Sequence, residues 1–111
     1  MKTSRYNCLP REMLTNGISL NSIGIDETAW KFKQAIEVIE YLYNKGYLIL
    51  GGDVYVFDGF SIKPTYDNWY HNKTESDNDL ELGRKKAIEY ITKHQVNYGD
   101  NYIYSIVYDI D

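Results

Sequence analysis

One cysteine, Cys8, and two prolines are all that the 111 residues contain of either type. A lone cysteine closes no internal disulfide, so a packed core must hold the fold, and a reducing compartment suits the chain. So few prolines beside 43% apolar residues exclude a disordered or low-complexity chain. No apolar run approaches the ~20 residues that span a bilayer. The basic start Met1-Lys2-Thr3-Ser4-Arg5 lacks the apolar stretch of a signal peptide behind it. Cytoplasmic location, without membrane contact, is the expectation. Positive charge is also short: 12 basic against 16 acidic residues give −4. That balance argues against a nucleic-acid partner held by phosphate neutralisation.

Catalytic signatures are missing as well. There is no G-x-S-x-G elbow, phosphate loop or G-x-G-x-x-G turn. His71 and His94 are far apart and have no metal-ligand spacing with Cys8. Asp77-Asn78-Asp79 opens like a calcium loop, but Leu82 stands where that loop needs glycine and Ile88 where it needs its bidentate acid. Gly51-Gly52-Asp53 shares three residues with the cyclic-dinucleotide synthase signature. Val54-Tyr55 then departs from it. No catalytic residue, cofactor or metal site is expected, and the chain reads as a non-enzyme.

Aromatic residues and local acidity are what the sequence does have. There are twelve tyrosines, with Trp30 and Trp69. Tyrosine combines large contact area with a polar tip, which suits a wet protein interface. Residues 53–81 hold seven acids against two lysines, a net −5, so the remainder carries about +1. Such a field steers a basic partner toward its target.

The patterning predicts one α+β domain. Pro10 and Gly17 bracket a short helical turn, with Gly17 as a left-handed exit. Phe32, Ala35, Ile36, Ile39, Leu42 and Tyr43 recur at helical spacing and predict a helix over about 30–45, ended by Gly46. Trp30 is expected in the core at its start. Tyr47–Leu50 and Asp53–Phe57 read as strands separated by Gly51-Gly52. Asp58-Gly59 predicts a two-residue hairpin turn pairing Tyr55 with Ile62, with Tyr55, Phe57, Phe60 and Ile62 on the core face. Pro64 should end that strand or mark an edge, with a third strand at 66–70. A second helix is expected over 79–93, with Gly83 at a close packing point, then a turn over 95–100. A last strand over 101–110 puts its tyrosines on an open face. The sum is a small antiparallel or mixed sheet of about four to five strands, with two main helices on one face. Gly51 or Gly52 should take a positive φ or form a bulge. Asp53 should be partly buried and accept backbone hydrogen bonds.

Several blocks in this order and spacing resemble the immunity protein 40 family of bacterial polymorphic toxin systems. They are Asn16-Gly17-Ile18-Ser19-Leu20, Gly24-Ile25, Ala29-Trp30 with Gln34-Ala35, Ile49-Leu50-Gly51-Gly52-Asp53-Val54-Tyr55, and Tyr66-Asp67-Asn68-Trp69-Tyr70. The similarity runs from about residue 13 to 110. It implies an antidote that binds a cognate toxin domain, and it carries no catalytic residues. Asp67, Trp69, Tyr70, Asp77 and Asp79 are the expected toxin-binding residues, and Gly51, Gly52, Asp53 and Tyr55 the structural motif. A small-molecule-binding module or minor enzyme with a pocket near Asp53 is the alternative.

Overall fold

The computed structural model describes residues 8–74 and 77–110. The elements are α1 (Arg11–Thr15), β1 (Ile18–Ser19), a 3-10 turn (Asn21–Ile23), β2 (Thr28–Trp30), α2 (Phe32–Asn44), β3 (Tyr47–Phe57), β4 (Ile62–Tyr70), α3 (Asp79–Tyr98), β5 (Tyr102–Ser105) and β6 (Val107–Ile110). Six antiparallel strands form one sheet in the order β1-β2-β5-β3-β4, with β6 also on β3. The fold is α+β, as expected, and the sheet is antiparallel throughout.

Strand β3 organises the sheet. The two apolar runs that flank Gly51-Gly52 form one eleven-residue strand, not two. Pairing on both sides overrides the glycines as breakers: Gly51 lies opposite Tyr70 of β4 and Val107 of β6. The expected special geometry is present. Gly51 has φ +152, and the β3–β6 register shifts between Ile49 and Gly51. A Cβ there would meet the Trp69 carbonyl oxygen at 2.2 Å, so only glycine fits.

The core face lies under α2 and α3. Ala35, Val38, Ile39 and Leu42 of α2 join Ala87 and Ile91 of α3 over Ile49, Val54, Trp69 and Tyr104. Gly46 ends α2 in the left-handed region, with φ +85. Gly83 lets α3 approach β3 closely, since a Cβ there would come within 2.5 Å of the Ile49 carbonyl oxygen. Arg84 donates two hydrogen bonds of 2.8 Å to the Glu40 carboxylate and so ties α3 to α2. Both partners are partly exposed, which limits that tie to roughly 1 kcal/mol or less. A second, smaller core covers the opposite face, where Leu20, Ala29, Tyr55, Ile62 and Ile103 meet.

Several expectations are corrected. Trp30 is buried but belongs to β2, and its indole N–H donates to the Met13 carbonyl. Gly17 does not have a positive φ. A side chain there would strike Thr28 and Trp30. The segments at 62–63 and 66–70 are one strand, and it passes through Pro64 because β4 is the sheet edge. The hairpin pairs Phe57 with Ile62, not Tyr55 with Ile62. Asp58 accepts hydrogen bonds from the N–H groups of Phe60 and Ser61, which makes the loop four residues long. Phe60 is then 97% exposed at its tip rather than in the core. Helix α3 runs on through the expected turn to Tyr98. The last strand breaks at Ile106, and its tyrosines face the helices: Tyr104 is fully buried.

Candidate protein interface

The two most specific sequence blocks are one structural unit. Gly51 pairs with Tyr70, Gly52 with Trp69, and Asp53 with Asn68 across β3 and β4. The Trp69 ring lies over Gly52, where a Cβ would come within 2.5 Å of it. The ring also stacks on Tyr90 of α3, with centroids 5.1 Å apart and planes 24° apart. Trp69 is 6% exposed. The expected surface anchor is therefore a core residue, and it fixes α3 against the sheet edge.

The acids divide in two. Asp67 and Asp77 are exposed, as a steering role requires. Asp79 is not: it is 4% exposed and clasped. Its Oδ1 accepts from His71 Nε2 at 2.9 Å and from Thr74 Oγ1 at 2.8 Å, and its Oδ2 from the Thr74 N–H at 2.9 Å. An ionised carboxylate only accepts, so His71 Nε2 carries the hydrogen. Burial opposes the charge, but the bonds from His71 and Thr74 prevail and lower the Asp79 pKa to about 2. A depressed carboxyl pKa stabilises the fold above its unfolded value near 3.8, and that contribution disappears as pH falls through about 2. Thermal unfolding from pH 5 to 2 should show this loss, with a shallower slope for Asp79→Asn. Equal slopes would show that the clasp does not stabilise the fold.

Asp53 also departs from expectation. It is exposed, and among the described residues none holds its carboxylate. Its backbone N–H donates to the buried Ser105 hydroxyl at 3.1 Å, beside the gap between β5 and β6. Tyr55 is buried in the smaller core. The hollow beside Asp53 is shallow and about 250 Å³. Small-molecule pockets run from ~300 to 1,000 Å³, so the geometry does not favour the alternative.

The exposed edge carries residues that local sequence patterns do not single out. Between Asp53 and Tyr55 the β3–β4 register shifts, and Thr65 to Asp67 bulge outward opposite Val54. Thr65 Oγ1 holds the bulge by donating to the Val54 carbonyl at 2.8 Å and accepting from the Asp67 N–H at 3.0 Å. Tyr66 at its apex has φ +69 and is 85% exposed. A non-glycine residue held there costs roughly 1–3 kcal/mol, a strain usually kept where function uses it. Tyr70, 62% exposed, follows on the same strand, with Lys86 Nζ 5.6 Å from its ring centre.

Behind the bulge, Asp67 faces Tyr90, Lys93, His94, Asn97 and Tyr98 of α3 across a hollow of about 260 Å³. Tyr90, His94 and Tyr98 recur every four residues along α3, and that stripe is the sequence signal for this flank. His94 is buried among four tyrosines, and its Nδ1 lies 2.9 Å from the Tyr104 hydroxyl. Burial pushes its pKa below the ordinary value, partly offset by the nearby Asp67 charge, and so favours the uncharged ring.

Among the described residues, no helix is long and apolar enough to cross a membrane, and no group of acids, histidines and cysteine is placed to hold a metal. No curated protein matches the chain. Residues 19–108 match the family described as Immunity protein 40, a span that includes β2 to β5, both long helices and the paired glycine and tryptophan blocks. The chain belongs to the immunity protein 40 family.

Proposed function

We propose that this protein is a cytoplasmic, non-enzymatic antidote that binds the toxin domain made beside it and blocks that domain by direct contact. The β4 edge with the flank of α3 is the binding surface. One observation carries this choice: a strained bulge holds Tyr66 out at 85% exposure, next to the exposed acid Asp67. Family membership supports the class of partner. The local acidity supports a basic toxin, drawn in by charge and then held by aromatic contacts.

Charge acts before contact and packing acts after it, so the two contributions separate kinetically. Changing Asp67 and Asp77 together to Asn is expected to slow association several-fold and weaken its salt dependence. Tyr66→Ala is expected to speed dissociation, at a cost of about 2 kcal/mol or more. Surface plasmon resonance against the toxin domain at two salt concentrations reads both. Circular dichroism checks that each variant is folded. Wild-type kinetics in both variants would move the interface away from β4.

A further inference from the structure

We propose that the hollow between β4 and α3 is a socket for one arginine side chain of the protein partner. The inference rests on the antidote reading and names the chemistry that this surface recognises.

The cavity has three properties that suit a guanidinium. Its walls are aromatic: Tyr90, His94 and Tyr98 line it. Planar guanidinium groups stack on such faces and stay weakly hydrated, which an ammonium does not. Its wall on β4 carries an anion, Asp67, which acts electrostatically on Tyr90 and His94 but whose carboxylate no described residue hydrogen-bonds or ion-pairs. A carboxylate beside aromatic rings gives a guanidinium both an ion pair and a stacking surface. The third property is the burial of His94 at the wall of the hollow. Its burial disfavours the imidazolium, a cation that would compete for the site.

Lys93 is the opposing feature. It also lines the hollow, and its charge disfavours a cationic guest. Its side chain is exposed and no described residue pairs with it, so it can swing into solvent when the socket fills. That opposition makes the sign of the guest testable.

Two substitutions and two probes decide the matter. N-acetyl-arginine amide and N-acetyl-aspartate amide are titrated into the folded protein while NMR follows the His94 ring protons. The arginine probe is expected to shift these resonances and saturate in the millimolar range, with the aspartate probe inert. Asp67→Asn should weaken arginine binding at least fivefold, and Lys93→Gln should tighten it. Both side chains are exposed, and circular dichroism verifies the fold. No saturable arginine shift, or a shift indifferent to Asp67→Asn, overturns the socket. Preference for the aspartate probe, lost in Lys93→Gln, overturns it in favour of an anion. These results do not depend on the toxin. Failure of the socket is therefore distinguishable from failure of the antidote reading, which growth protection tests separately.

Discussion

Gly52→Ala is expected to destabilise the fold by more than about 3 kcal/mol, the upper end of ordinary overpacking. An added Cβ would sit 2.0 Å from the Ser105 carbonyl oxygen and 2.5 Å from the Trp69 ring. Neither neighbour can yield cheaply. Ser105 is fully buried and paired with Ala29 of β2, and the Trp69 ring is pressed against Tyr90. A small domain has only about 5–15 kcal/mol in hand, so much of its stability would be lost. Urea unfolding measures this directly. An unchanged midpoint would mean that Trp69 does not lie over Gly52 and that β3 and β4 pair in another register.

Trp69→Ala should cost roughly 3–5 kcal/mol, for the opposite reason. Truncation leaves a void between Gly52 and Tyr90, and neither can fill it. It also removes the aromatic stack, which adds about 0.5–1.5 kcal/mol to the burial of a ring. Trp69→Phe should keep part of that stack and lose less. Any weakening of toxin binding by Trp69→Ala should then follow the unfolded fraction and vanish under conditions where the variant is fully folded. A fully folded variant with a wild-type unfolding midpoint and faster toxin dissociation would return Trp69 to the interface.

These two residues also mark how far the sequence alone reaches. The glycine block and the tryptophan block both stand out along the chain. That they face each other does not, because strand register is set by long-range pairing and not by local composition. The same gap explains the hairpin. The Asp58-Gly59 rule assumes the shortest turn, whereas the Asp58 carboxylate binds two N–H groups ahead and lengthens it. Helix α2 is readable because its stripe is local, and Ile39 is buried where the spacing puts it. Charge counting locates the acidic region but gives Asp67 and Asp79 the same role. Only tertiary contact separates them, since His71 and Thr74 enclose one and leave the other in solvent. The left-handed Tyr66 has no local signal at all. Its conformation comes from a register shift between two strands.

Neutralisation of a toxin through the β4–α3 flank is best tested by the growth of bacteria that co-express a cognate toxin domain. The wild-type chain should restore growth, and so should Glu37→Gln, on the exposed side of α2. Combined Tyr66→Ala and Asp67→Asn, expressed at the same level and folded, should restore little or none. No protection by the wild-type chain, or full protection by the doubly substituted one, would contradict this role for the flank.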